Sequence, residues 1–359
     1  VENNNNKVLN VPALRFPEFT EEWNYESLDT IAPNITSGRS KPSLGEYNLY
    51  GSTGIIGKTA TADYSGDMLL VARVGANAGS LQLVNDSCGI TDNTLIIKPC
   101  KLSSHYLYFY LQHYNLNRLV FGSGQPLITA GMLKKVRIPF GNQLEQKKIE
   151  NFLCCIDERI TTQNKIIEDL KLLRDAISVH LLSPKSDWKC YKVSEIADIG
   201  RGRVISSKEI ANQKNPRYPV YSSQTSNEGI MGYLDDYAFD GEYITWTTDG
   251  ANAGTVFYRN GRFNCTNVCG TLKLHYQFDA YYCSLVLANA TKKYVSINLA
   301  NPKLMNSTMA AIKLYVPPFQ EQKRMAQLFR KIDENITLEH RLLLFYQNQK
   351  HYLLKQMFI

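Results

Sequence analysis

The chain has 359 residues, of which 44% are hydrophobic and 20% are charged, enough to bury two cores of ordinary domain size. Its 40 Lys and Arg residues against 33 Asp and Glu give a formal net charge of +7, which favours a polyanionic partner. The eight cysteines form no CxxC pair and no long apolar run occurs, which argues against a zinc or redox site and against a membrane span. We expect a soluble protein of the reducing cytoplasm, with no bound metal.

The chain begins with a polar stretch that contains four consecutive asparagines. We predict that residues 1–11 form a disordered tip. A first domain follows over residues 12–142. Within it, Asp67 to Val74 is rich in aliphatic residues and is bounded by glycine, which predicts a strand, whereas Tyr106 to Tyr114 is typical of a helix. The domain is therefore predicted to be mixed α/β.

The pattern changes over residues 143–184, where apolar residues recur at alternating steps of four and three. This spacing predicts a long helix with a coiled-coil seam on one face. The predicted seam residues of this central helix are Ile149, Leu153, Ile156, Ile160, Ile167, Leu170, Ile177 and Leu181.

Residues 185–318 repeat the first domain. Gly75-Ala76-Asn77-Ala78-Gly79 recurs 175 residues later as Gly250-Ala251-Asn252-Ala253-Gly254. The same interval carries Gly54, Gly57 and Gly66 onto Gly229, Gly232 and Gly241. Because four matches in register are not expected by chance, we predict a second mixed α/β domain with the same framework, in which Glu242 to Thr247 is a strand and Tyr281 to Ala290 a helix.

Residues 319–359 repeat the helix at an interval of 176 residues. The equivalent seam residues are Met325, Phe329, Ile332, Ile336, Leu343, Tyr346, Leu353 and Met357. Polar interruptions also correspond, since Gln163 and Arg174 fall on Glu339 and Lys350. The alternative, in which each helix packs only on its own domain, explains the apolar stripe but not a seam of about 40 residues with shared polar positions.

Chain connectivity predicts the direction of the two helices. The second domain joins the C-terminal end of the first helix to the N-terminal end of the second, so the helices are expected to pack antiparallel as a coiled coil. The predicted fold class is α+β, with two mixed α/β domains separated by two long helices and related by an internal pseudo-two-fold repeat. Dimeric DNA readers present two half-site readers with the same symmetry.

The order of these features resembles the specificity subunits of type I restriction-modification systems. The resemblance begins at Val11-Pro12-Ala13-Leu14-Arg15-Phe16-Pro17 and rests on two duplicated helix starts, Leu144-Glu145-Gln146-Lys147-Lys148-Ile149 and Glu321-Gln322-Lys323, preceded by Ile138-Pro139 and Val316-Pro317-Pro318-Phe319. It implies two target-recognition domains, double-stranded DNA as ligand, and assembly with two methyltransferase subunits and with restriction (motor) subunits. S-adenosylmethionine is then expected on the methyltransferase, with no cofactor on this chain. The second helix start has Pro317-Pro318 where the first has Gly141-Asn142.

Motifs with catalytic potential have simpler explanations. The segment Ser52 to Thr59 resembles a phosphate-binding loop, but such a loop must open a helix and this one is predicted to lead into a strand. The duplicated Glu-Gln-Lys lies at a helix start, where glutamate compensates the helix dipole. Val316 replaces the polar residue that begins the motif of amino-methyltransferases, and no histidine pair has metal-ligand spacing. We expect no catalytic site.

DNA sequence is read mainly by Arg or Lys at guanine and by Asn or Gln at adenine, while contacts to the DNA backbone supply position and affinity. We therefore take polar and basic residues at equivalent places in the two domains as candidates. They are Ser37, Arg39, Lys41, Ser52, Thr53, Arg73, Asn77 and Gln125 in the first domain, and Arg201, Arg203, Ser223, Gln224, Thr248, Asn252, Asn301 and Lys303 in the second.

Other interpretations remain open for these candidates. A tight turn with positive φ also accounts for Asn77 and Asn252, and plain solvation accounts for arginines beside glycine. The two domains differ elsewhere, since Val71-Ala72-Arg73-Val74 stands opposite Trp246-Thr247-Thr248-Asp249, which predicts an asymmetric two-part target. Two other functions are a DNA-binding scaffold or regulator without methyltransferase partners, and a coiled-coil interaction protein that does not bind DNA.

Overall fold

A computed structural model describes residues 10–122, 126–296 and 301–359. The chain divides into two compact units, one of Val1–Ile166 with Glu339–Ile359 and one of Ile167–Leu338. The predicted boundaries at 142/143 and 318/319 separate domains from helices, whereas these units each combine a domain with part of both long helices. Residues 1–9 of the tip predicted to be disordered (residues 1–11) lie outside the described residues. At its end, Asn10 accepts a hydrogen bond from Tyr25 Oη at 2.8 Å.

The first unit contains a four-stranded, a three-stranded and a two-stranded sheet. Their strand orders are β2-β8-β5-β6, β4-β3-β7 and β1-β9. The strands are β1 (Asn24–Ser27), β2 (Thr36–Ser37), β3 (Tyr47–Gly51), β4 (Gly54–Thr59), β5 (Asp67–Ala72), β6 (Leu81–Asn85), β7 (Gly89–Ile90), β8 (Thr94–Ile97) and β9 (Arg137–Phe140). The helices are α1 (Leu28–Ile31), α2 (Ser104–Tyr114) and α3 (Ala130–Lys134).

Strand β5 shows why these sheets stack. Successive side chains of a strand point to opposite faces, and here Leu69 and Val71 join the core that contains α2, whereas Met68 and Leu70 pack with Val84 in a second apolar cluster. Both faces of β5 are therefore buried. The sequence of such a strand is a continuous apolar run, as residues 68–72 are after the exposed Asp67.

The second unit repeats this arrangement, with strand orders β11-β17-β14-β15, β13-β12-β16 and β10-β18. Its strands are β10 (Lys189–Lys192), β11 (Ala197–Arg201), β12 (Tyr218–Tyr221), β13 (Ile230–Leu234), β14 (Tyr243–Thr247), β15 (Val256–Arg259), β16 (Asn264–Cys265), β17 (Cys269–Leu274) and β18 (Lys313–Val316). Its short helices are α5 (Val193–Ile196), α6 (Ser207–Ala211), α7 (Ala280–Ala290) and α8 (Asn306–Ala311).

The two long helices are α4 (Gln143–Leu181) and α9 (Phe319–Met357). Asn142 caps α4, because its side chain accepts a hydrogen bond from the Glu145 N–H at 3.0 Å. In the second copy, Pro318 precedes the helix and its carbonyl accepts the Glu321 N–H. The central helix ends at Leu181, earlier than the predicted 184, because Pro184 disfavours helical backbone in the residue before it.

Within each unit, the start of one long helix packs against the end of the other. In the first unit, Ile149 and Leu153 share a core with Leu353 and Met357. In the second, Ile177 and Leu181 pack on the core that contains Met325 and Phe329. The helices are thus antiparallel within each unit, and the predicted fold class is confirmed. All sixteen predicted seam residues are buried or half-buried.

The polar positions of the seam are paired. Gln163 donates to the Glu339 side chain and, at 3.1 Å, to its carbonyl oxygen. Arg174 binds Asp333 with an Nε–Oδ1 distance of 2.5 Å, and Lys350 binds Asp157 at 2.6 Å. Gln163 is buried, whereas the two ion pairs are partly exposed. A slipped register would separate all three pairs, so they favour the observed alignment of the helices.

Candidate nucleic-acid interface

One edge of the four-stranded sheet in the first unit brings several candidates together. The Gly38 N–H, just after β2, donates to Thr94 O at 3.0 Å, and the Arg73 N–H, just after β5, donates to Asn93 O at 2.8 Å. The ends of β2 and β5 therefore lie on either side of the start of β8. This edge carries Ser37, half-buried, and Arg73.

The second unit has the same edge with different side chains. The Gly202 N–H donates to Cys269 O at 3.0 Å, and the Thr248 N–H donates to Val268 O at 2.9 Å. Arg201 thus stands where the first unit has Ser37, and Thr248 where it has Arg73. The frame is shared while the groups that it presents differ.

A glycine fixes the chain at the end of β2 and at the end of β11. A Cβ on Gly38 would lie 2.2 Å from Ile90 O, and one on Gly202 would lie 2.1 Å from Cys265 O. Only glycine permits so close an approach to backbone. The arginines that follow, Arg39 and Arg203, are exposed and are held at equivalent positions.

The repeated Gly-Ala-Asn-Ala-Gly pentapeptide is a tight turn. Its glycines have positive φ, 81° and 88° in the first copy and 93° and 83° in the second. The turn offered as the alternative explanation of the pentapeptide is therefore present, with positive φ at its glycines and not at Asn77 or Asn252. Asn77 is exposed, and its side chain makes no hydrogen bond to another described residue. Asn252 Nδ2 donates to Ser223 O at 3.1 Å and ties this turn to the loop after β12.

A polar cluster lies beside this turn in the second unit. Arg201 Nη2 lies 2.9 Å from Thr248 Oγ1 and 3.2 Å from Asp249 Oδ2. Lys303 Nζ lies 3.5 Å from Asp249 Oδ1. The sequence analysis missed Asp249, which links three of the predicted residues. Its position next to Thr248 was the only signal that it belonged to the site.

Two other predicted arginines differ in their surroundings. Arg203 binds the Glu209 carboxylate, with an Nη2–Oε1 distance of 2.5 Å, and this hydrogen bond raises the pKa of Arg203. Glu209 lies on α6, a helix that the first unit lacks among its described residues. Arg39 and Lys41 are exposed and form no ion pair within the described part of the chain.

The remaining candidates lie in loops at the ends of strands. Ser52 and Thr53 form the turn between β3 and β4, and Ser223 and Gln224 follow β12. Asn301 is exposed near Gly250. Gln125, a candidate of the first domain, lies outside the described residues.

Basic residues that the sequence analysis did not select lie next to the pentapeptide turns. A 3-10 helical segment follows each of α2 and α7, and it packs on the last glycine of the turn: Thr291 Oγ1 donates to Gly254 O at 2.8 Å. The exposed side chains of Arg118, Lys292 and Lys293 lie on these segments. Arg118, Lys292 and Lys293 are far from the pentapeptides in sequence. Their position beside the turns therefore could not be predicted from the sequence.

The motifs considered for catalysis have structural roles. Ser52 to Thr59 forms a turn and strand β4 without opening a helix, so the N–H groups of a phosphate-binding loop are not assembled. Glu145 is fully buried and binds Arg15 and Trp23. The residues that the structure describes contain no cluster of metal-ligating groups and no helix long and apolar enough to cross a bilayer. All eight cysteines are free.

Comparison with known proteins agrees with this arrangement. A family model described as the type I restriction modification DNA specificity domain matches residues 6–172 and 185–344. A Mycoplasma pneumoniae protein named as the N-terminus of a type I specificity subunit is 46% identical over 142 residues, 39% of this chain and 75% of that protein. Another type I specificity subunit of this organism is 38% identical over 156 residues, 42% of this chain and 50% of its own length. The chain thus spans only half of that second relative.

A solved structure has the same fold. The crystal structure of a type I restriction-modification S subunit from M. genitalium matches with a TM-score of 0.71 at 19% identity, over 97% of this chain and 99% of that one. The matched family is defined by DNA specificity, which confirms the interpretation as a recognition protein. With the family model covering both domains, the chain belongs to the type I restriction-modification DNA specificity family.

Proposed function

We propose that the chain reads an asymmetric, two-part sequence in double-stranded DNA, with one half-site for each unit. The observation that carries this proposal is the pair of equivalent sheet edges with unlike side chains. Ser37 and Arg73 on the first edge correspond to Arg201 and Thr248 on the second. Equivalent frames position a reader in the same way, and different donors and acceptors select different bases.

The charges near these edges suit a polyanion. Arg39 and Lys41 in the first unit, and Lys292 and Lys293 in the second, are exposed. Such cations supply salt-dependent affinity for phosphates, whereas sequence is read by groups fixed at base edges. The cluster of Arg201, Asp249 and Lys303 is fixed in this way, because each cation is oriented by the same carboxylate.

The proposal includes partners for catalysis. The chain would position two adenine methyltransferase subunits, which bind S-adenosylmethionine, and restriction subunits for cleavage, in the cytoplasm where the chromosome is accessible. The support is membership of the family, together with duplicated long helices that offer two similar surfaces. A scaffold or regulator without such partners is the alternative outcome.

Domain exchange tests the function. Residues 12–142 are replaced by the equivalent domain of a relative, the chain is expressed with its methyltransferase, and adenine methylation is mapped across the genome. We expect one half of the methylated motif to change and the other half to remain. A chain that copurifies with no methyltransferase but binds duplex DNA would support the alternative, and salt-independent or absent DNA binding would contradict both.

A further inference from the structure

The second unit contains a buried arginine where the first has an apolar residue. In the sheet register, Arg259 is paired with Tyr243 as Val84 is paired with Met68. Val84 belongs to an apolar cluster, whereas Arg259 is 5% exposed among polar and aromatic groups. Arginine is rarely buried to this degree without a carboxylate partner, and Arg259 forms no ion pair within 4 Å among the described residues.

The direct contacts of Arg259 go to neutral groups, and the Glu228 carboxylate attracts its guanidinium group at longer range. Its Nε donates to Thr245 Oγ1 at 3.3 Å, and its Nη2 donates to Glu228 O at 2.7 Å. The guanidinium carbon lies 3.5 Å from the ring centroid of Tyr221 and 4.4 Å from that of Phe257. Burial lowers the pKa of Arg259. An arrangement that costs solvation in this way needs a reason beyond filling the core, since valine fills the same position in the first unit.

The carbonyl that Arg259 holds belongs to an unusual loop. Residues 222–229 connect β12 to β13, whereas only Ser52 and Thr53 connect β3 to β4 in the first unit. Asn227 and Glu228 have φ values of 49° and 53°, followed by Gly229 at 84°. Consecutive residues in this left-handed region are unfavourable for L-amino acids and persist only where their surroundings impose them.

The loop also lies at the edge where the candidate reading groups are. Its residue Ser223 accepts the hydrogen bond from Asn252 of the pentapeptide turn, and residues 225–228 are exposed at its tip. The Arg259 guanidinium group therefore holds the exposed residues 225–228 in place through the Glu228 carbonyl, at the proposed DNA-reading edge.

We infer that Arg259 is a positioning residue for a DNA-reading loop, residues 222–229, that the second unit has and the first lacks, and that this loop selects bases of the second half-site. The inference rests on the proposed function. It adds that specificity in this unit depends on a side chain that never touches DNA, and that the planar guanidinium group, not its charge alone, is required. The planar group binds two acceptors and stacks on aromatic rings at once, which an ammonium cannot do.

The test uses the chain in complex with its coexpressed methyltransferase and selects bound sequences from a random duplex pool. Wild type must first enrich a two-part motif, since the absence of any motif would defeat the proposed function itself. For Arg259→Met and Arg259→Lys, we expect preference at one or more positions of the second half-site to fall by about tenfold, the usual scale of a base contact. The first half-site and the affinity for random DNA should stay within about twofold of wild type, because no phosphate contact is removed.

Arg262→Met is the matched control, since Arg262 lies three residues away, exposed and paired with Asp240, and should leave the motif unchanged. An unchanged second half-site in a folded Arg259→Met complex would overturn the inference. A wild-type motif for Arg259→Lys together with a lost preference for Arg259→Met would overturn the requirement for the planar guanidinium group, because a positive charge alone would then support the loop. If Arg259→Met fails to fold, the loop is tested directly with the quadruple variant Thr225→Gly, Ser226→Gly, Asn227→Gly and Glu228→Gly. Glycine accepts the left-handed backbone, so this variant removes the loop side chains without backbone strain. A wild-type preference at the second half-site would then show that the loop does not read DNA.

Discussion

Loss of the Arg15 side chain should destabilise the first unit far more than loss of the Lys185 side chain destabilises the second. Arg15 binds Glu145, and Lys185 binds the corresponding Glu321. Glu145 is fully buried and Arg15 is 12% exposed. Their guanidinium and carboxylate groups share two hydrogen bonds, of 2.6 and 2.8 Å, and Trp23 Nε1 donates a third at 3.0 Å. Arg15→Met would leave the carboxylate buried with Trp23 as its remaining side-chain donor.

The expected magnitude follows from burial. Removing one partner of a buried ion pair costs about 3–5 kcal/mol, and because Trp23 still donates to the carboxylate we expect about 3 kcal/mol, at the lower end. In the second unit, Glu321 pairs with Lys185 at 3.6 Å, with side chains 36% and 52% exposed. Exposed pairs contribute roughly 0–1 kcal/mol, so Lys185→Met should have an effect within that range.

Amide hydrogen exchange on β1 and β9, which flank Trp23 and Glu145, measures the opening free energy of the first unit separately. The double variant Arg15→Met/Glu145→Met should recover most of the lost stability, because an apolar pair of similar volume often replaces a buried ion pair without penalty. A loss below about 1 kcal/mol for Arg15→Met, or no recovery in the double variant, would refute the assignment of a buried pair.

Three further predictions concern the interface and the core. Asp249→Ala should strengthen binding to random duplex DNA and steepen its salt dependence by about one unit, because Arg201 and Lys303 lose their shared carboxylate; an unchanged slope in a salt titration would contradict this. If Arg203 reads a base, Arg203→Ala should weaken binding by about 1–3 kcal/mol at one motif position, whereas a phosphate role weakens binding to all sequences alike. Burial lowers the pKa of His113 in the folded protein. The stability that neutral His113 contributes is therefore present above the ordinary histidine pKa of about 6.5, and it is lost as the pH falls from there through the lowered pKa. Unfolding of His113→Phe should be less sensitive to acid over this range than that of wild type.

The framework could be predicted from the sequence because repetition and periodicity are properties of the chain itself. The 175-residue interval indicated two similar domains, and the seam positions from Ile149 to Met357 are buried or half-buried. The tight turns were also recognisable, since glycine at both ends of the pentapeptide suits positive φ.

The pairings within the site could not be predicted, because they join residues that are distant in sequence. Arg203 appears free until α6 places Glu209 against it. Glu145 looks like an ordinary first-turn glutamate, yet the contact with Arg15 spans 130 residues. Asp249 carries a charge opposite to that expected of a DNA contact, so a search for cations passes over it.

The comparison of the two copies also indicates how specificity could diverge without loss of the fold. Residues that hold the edge in place, such as Gly38 and Gly202, are the same in both, because any side chain there would collide with backbone. The residue at the equivalent position of β6 and β15 differs, since it is Val84 in the first unit and Arg259 in the second. The connection between the first two strands of the three-stranded sheet differs with it, from a two-residue turn in the first unit to a longer loop in the second. Transplanting only the exposed loop residues from one domain to another would leave them without this support. A whole domain, including the edge strand β6 or β15 that carries Val84 or Arg259, is therefore the smallest part whose exchange should transfer a half-site.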